Sequence, residues 1–107
     1  MANRKLLTTG NAAINTTTSA LTSDGILRAI LFTASVASGQ NENLVITIDA
    51  QDGAAYDAVI YNVDMNGLTH AAVTDIAIPV FTGDKFVIAY TNTDTRTIGV
   101  RLLIGRA

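Results

Sequence analysis

Few groups in this chain are able to do acid–base work. One histidine, His70, stands among 107 residues, beside nine Asp and Glu and no cysteine. A single imidazole works as a general base only when another group orients it and a reacting proton lies within reach. A serine nucleophile would need the same His70, and the sequence holds no Gly-x-Ser-x-Gly elbow. A lone histidine next to a turn is first of all a polar surface residue or a hydrogen-bonded one. No glycine-rich phosphate loop occurs. Without cysteine, neither a disulfide framework nor a cysteine zinc site can form. The residue types therefore point away from an enzyme, with no catalytic residue and no cofactor expected. A hydrolase or lyase reading would rest on His70 alone.

The carboxylates carry a second possibility. Asp49, Asp52 and Asp57 flank one expected turn, and Asp64, Asp75, Asp84 and Asp94 stand at other strand ends. Oxygen ligands gathered in this way are one route to calcium. Asp is also the ordinary turn former, because its side chain bonds its own backbone. The turn-forming role is adopted, and no metal is expected. Tyr56, Asp57 and Tyr61 form the best available sugar platform, but no Trp is present and aromatic residues make up only 6%. Tyr90 is expected in the core with its hydroxyl at the rim.

The elements that position these groups are strands. From Asp84 to Ile104 apolar residues alternate on either side of the polar turn Asn92-Thr93-Asp94-Thr95. Phe86, Ile88 and Tyr90 precede it, and Ile98, Val100, Leu102 and Ile104 follow. A period of two is that of a half-buried strand, and the pattern predicts a hairpin whose apolar side is half of a core. Residues 12–23 are Thr-rich and predict an edge strand. Residues 26–34 are apolar on both faces, with Leu27, Ala29 and Leu31 on one side and Ile26, Ile30 and Phe32 on the other. Asp52-Gly53 and Asn66-Gly67 are hairpin turn signals. Pro79 lacks an N–H and places the strand near Asp75–Val80 at an edge. Seven or eight short strands with regular turn signals predict an all-β, antiparallel sandwich. The expected organisation is an N-terminal arm, 1–11, and one β-sandwich domain, 12–107.

Charged residues make up 15% of the chain and hydrophobic residues 49%, against about 25% charged in a typical soluble domain. Too few charges remain to cover so small a domain, so much of its surface is expected to be Thr, Ser, Asn and Ala and part of it to be buried against other chains. The net charge of −2 argues against a nucleic-acid partner, which demands clustered Lys and Arg. The first ten residues have a basic start but no apolar run of leader length, so no secretory leader is expected. No stretch approaches the ~20 apolar residues of a spanning helix, and no membrane partner is expected. Candidate interface residues are Arg4, Lys5, Leu6 and Leu7 in the arm, and Ile30 and Phe32 on the second face of the 26–34 strand. As an arm, residues 1–9 would be removable with the sandwich left folded.

The stretch ILRAILFTASVASGQNENLVITIDAQDGAAYDAVIYNVD, followed by IPVFTGDKFVIAYTNTDTRTIGVRLLI, resembles small structural proteins of tailed bacteriophages. These are the capsid decoration, or cement, proteins with a jelly-roll-like β-sandwich. The likeness covers about Ile26 to Ile104 and lies in pattern: the short arm, the Thr-rich first strand, the Gly83-Asp84 turn before KFVIAYTN, and the final apolar strand. It implies a non-enzymatic virion protein on the outer surface of the capsid. Such a protein binds major capsid protein subunits, forms a dimer or trimer and stabilises the head shell. Similar sandwiches occur in phage tails and head fibres, so a fibre module, with glycan as a ligand, is the alternative that the resemblance implies.

Overall fold

The computed structural model describes residues 4–106. They form β1 (Arg4–Gly10), β2 (Ile14–Thr17), β3 (Gly25–Ala34), β4 (Asn43–Asp49), β5 (Ala58–Asp64), β6 (His70–Val73), β7 (Ile78–Val80), β8 (Lys85–Tyr90) and β9 (Ile98–Arg106). One 3-10 turn, Ala54–Tyr56, interrupts them. No helix of the described residues is long and apolar enough to cross a membrane.

The strands make two antiparallel sheets. The first has the order β1-β9-β3-β6, with β7 also on β3, and the second β2-β8-β4-β5. β6 pairs with the Ile30–Thr33 half of β3 and β7 with its Gly25–Leu27 half, so they form one interrupted edge. Pro79 lies in β7, on this edge, the part of a sheet to which proline is confined. This is the strand order of a jelly roll, an antiparallel hairpin rolled up so that its strands alternate between two sheets.

The predicted hairpin at Asp84–Ile104 is not a hairpin. β8 lies inside the second sheet and β9 inside the first. Their apolar rows face each other across the core: Phe86, Ile88, Val100 and Leu102 are each 0% exposed. Both segments are therefore central, but they meet through side chains and not through a ladder. The Asn66-Gly67 turn likewise carries the chain from the second sheet to the first. Among the described residues only β4 and β5 pair as sequence neighbours, across a loop that holds Gly53 and the 3-10 turn.

Two further expectations are corrected. The arm is, over its described residues, strand β1, in register with β9 from Arg4↔Ile104 to Gly10↔Ile98. Met1 to Asn3 lie outside the described residues. Ile30 and Phe32 are core residues, 2% and 1% exposed. The cause is a bulge: Leu27 pairs with Ile104 and Ala29 with Leu103, so Arg28 is an extra residue. A bulge flips the phase of alternation. Leu27, Ile30 and Phe32 therefore point inward, where strict alternation divides them between faces.

Candidate functional site

Most of the carboxylates close turns. Asp84 is buried and accepts from the Gln51 and Phe81 N–H groups at 3.0 and 2.9 Å. Asp57 accepts from Ala50 N–H, Asp64 from Asn66 N–H, and Asp94 from Gly39 N–H and the Ser38 hydroxyl. Asp24 accepts from the Thr82 N–H and hydroxyl, and these bonds hold its carboxyl below the usual range. Among the described residues no three His, Asp or Glu side chains gather at one point. His70 opens β6, exposed, opposite Thr33.

The end of the sandwich reached by the β8–β9 connection is tied by two residues that the sequence pattern does not single out. Asn92 donates to the Ala12 and Arg96 carbonyls and accepts from Arg96 N–H. Arg96 is 2% exposed. Its guanidinium donates to the Val36 and Leu68 carbonyls at 3.0 and 3.2 Å and to the Tyr90 hydroxyl. It also lies against the Phe32 and Tyr90 rings. Buried Arg normally pairs with a carboxylate, but here the partners are two carbonyls, a phenol and two ring faces. The sequence carries no signal for it: the positive φ of Thr95 (50°), just before Arg96 and the last strand, is not what a β-branched residue leads one to expect.

What remains free for recognition is the pair of open sides where the two sheets' edges meet. On one side β1 adjoins β2. Their edges make a shallow groove lined by Leu6, Leu7, Thr16 and Thr18, with Lys5 at its rim. Leu7 and Lys5 point to the outer side, opposite Arg101 and Leu103 of β9, and Leu7 is 66% exposed. Leu6 packs on the core, and Arg4 donates to the Ser23 carbonyl at 3.3 Å. Of the four candidates in this segment, Lys5 and Leu7 are thus presented outward.

On the opposite side β5 adjoins β7. Tyr56, Ile60, Ile78, Pro79 and Phe81 line a groove there, with Asp52 at its mouth. Tyr56 is 67% exposed, Val59 59% and Phe81 53%. Tyr61 does not join Tyr56: it packs on the core, and burial pushes its hydroxyl pKa up. A bulge at Ile60, between the Ile46↔Tyr61 and Thr47↔Val59 pairs, turns both Ile60 and Tyr61 toward the interior. Phe81, which the sequence pattern leaves in a turn, takes the place expected of Tyr61.

The carboxylates of the strands all lie in the second sheet, which also holds one cation, Lys85 of β8, paired in register with Asp49. The strands of the first sheet hold Arg4, Lys5, Arg28, Arg101 and Arg106 and no carboxylate. Asp49 and Asp64 end the strands β4 and β5 of the second sheet, with Asp52 and Asp57 in the loop between them. No protein-family model matches the chain, and no curated protein matches it.

Proposed function

We propose that this chain is a non-enzymatic structural protein of a virion. In this reading it is a capsid decoration protein that sits on the outer surface of the shell, binds major capsid protein subunits and associates with itself. The observation that carries the reading is the distribution of apolar surface. Leu7, Val36, Tyr56, Val59 and Phe81 are 53–67% exposed on a domain with only 15% charged residues. Two of them, Tyr56 and Phe81, share the groove on the β5 side, which fits a surface that another protein covers. Five of the carboxylates, Asp24, Asp57, Asp64, Asp84 and Asp94, are engaged in turn and loop hydrogen bonds, as assembly chemistry allows. The phage-protein likeness in the sequence agrees with the jelly-roll order of the strands, and fold alone does not carry function.

The test is a cryo-electron microscopy reconstruction of particles that carry the protein. Density for the sandwich over the junctions between capsid subunits is expected, and its absence from the shell would end the reading. A fibre module that binds glycan is the second reading, favoured by the paired exposed rings of Tyr56 and Phe81. It predicts glycan-array binding that is lost in Tyr56→Ala. The groove's mostly apolar lining ranks this reading second, because sugars need several directed hydrogen bonds.

A further inference from the structure

We propose that copies of this chain associate head to tail, with the Lys5–Leu7 edge of one copy seated in the Tyr56–Phe81 groove of the next. The inference rests on the self-association in the reading above and does not depend on a capsid. Three observations lead to it.

The first is shape. Leu7 projects from the outer side of an edge strand and is 66% exposed. The groove on the opposite side is walled by Tyr56, Ile60, Ile78 and Phe81 and measures about 270 Å³. That is below the roughly 300–1,000 Å³ typical of small-molecule sites and suits inserted side chains.

The second is charge. The Leu7 edge carries Lys5, on a sheet whose strands hold no carboxylate. The groove carries Asp52 at its mouth and Asp57 one residue after Tyr56. Seating Leu7 in the groove brings Lys5 toward these carboxylates.

The third is what self-pairing would do. β5 is an edge strand of seven residues with exposed valines and one side unpaired, the usual template for strand addition. Paired antiparallel with its own copy, it sets the Asp64 of one copy beside the Asp57 of the other, and like charges so placed repel. β1 paired antiparallel with its own copy sets Leu7 beside Leu7 and Lys5 beside Thr9, a contact without any cation–carboxylate pair. Charge opposes the β5 self-contact and adds nothing to the β1 one, whereas the contact between unlike edges sets Lys5 against Asp52 and Asp57. The two edges lie on opposite sides of the molecule, so each copy offers one of each. Such contacts close into a ring or continue as a filament.

The experiment is sedimentation velocity on the isolated chain, with circular dichroism to confirm folding. The wild type is expected to associate with rising concentration, less so at high salt. Leu7→Glu, and separately Tyr56→Ala with Phe81→Ala, should each raise the dissociation constant by about tenfold or more. Mixed together, these two variants each supply the surface that the other lacks, and should form a dimer and stop there. Lys5→Glu should weaken association, and adding Asp52→Lys should restore it. A wild type that stays monomeric up to about 1 mM overturns the proposal. So does an oligomer that folded Leu7→Glu leaves intact, or a mixture of the two variants that stays monomeric. A monomer in solution that still decorates particles would sink this inference and leave the capsid reading standing.

Discussion

The Arg96 guanidinium donates to the Tyr90 hydroxyl and lies 5.6 Å from that ring's centroid. Its other bonds reach the Val36 and Leu68 carbonyls, so one side chain joins the loop after β3, the loop before β6 and the end of β8. Arg96→Ala would leave these three groups without their donor in a buried place. The expected loss is about 3 kcal/mol or more, since each orphaned group costs about 1–3 kcal/mol. Tyr90→Phe should cost about 1.5–3 kcal/mol, the worth of a hydrogen bond to a charged group. Arg96→Lys should rescue little, because one ammonium cannot span partners that a fork reaches. Urea denaturation checks this; an Arg96→Ala loss under about 1 kcal/mol would show that water replaces the guanidinium without difficulty.

Thr8 offers a change in the other direction. It is 8% exposed, on the inward side of β1 opposite Val100, and its Oγ1 has no hydrogen-bond partner among the described residues. A buried hydroxyl left unpaired costs about 1–3 kcal/mol. Thr8→Val keeps the branched shape and removes the orphan. It should stabilise by about 1 kcal/mol, raising Tm by about 4–8 °C for a domain near this size. An unchanged or lower Tm would mean that the hydroxyl is satisfied in solution.

Strand β1 changes what truncation should do. As an arm, residues 1–9 would be dispensable for folding. As the edge of the first sheet, β1 covers the open side of β9 along its whole register and packs Leu6 on the core. Its removal would bare β9, a long apolar strand whose unpaired edge invites aggregation. Deletion of residues 1–9 should yield insoluble or unfolded protein, by circular dichroism and soluble yield. A folded, soluble truncation would return the segment to the role of an arm.

How far the sequence was legible follows from what a period of two encodes. Alternation in β4, β8 and β9 marks strands and the inward row, and Leu44, Ile46, Phe86, Ile88, Val100 and Leu102 are indeed core. Alternation does not encode which strand lies alongside. Partners such as β1 with β9 are about 90 residues apart in sequence, as with Thr9 and the Ile98 carbonyl that its hydroxyl bonds, a separation of 89. Turn residues mark where the chain reverses but not whether it stays in the sheet, so Asn66-Gly67 and Asn92–Thr95 have the look of hairpin turns while each carries the chain from one sheet to the other. Bulges at Arg28 and Ile60 shift the phase within a strand, which removed Ile30 and Phe32 from the candidate surface. Of the surface candidates, Lys5 and Leu7 are exposed. Val59 and Phe81 were missed because an exposed apolar residue looks like a core residue in sequence.

The Gly83-Asp84 turn tests how tightly the groove is built. Gly83 has φ +92°, and a Cβ there would collide with the Gln51 side chain. Asp84 follows and holds the Phe81 and Gln51 N–H groups, so the same turn sets the groove's Phe81 wall. A left-handed conformation costs a residue with a Cβ about 1–2 kcal/mol before any collision is counted. Gly83→Ala should therefore lose at least about 2 kcal/mol and weaken any self-association through the groove. Gly39→Ala is the control: nothing lies within 4 Å of its added Cβ, and its effect should stay within about 0.5 kcal/mol. Equal, small losses at both positions, measured by urea denaturation, would mean that the turn yields to a side chain and that Phe81 is not held in place by it.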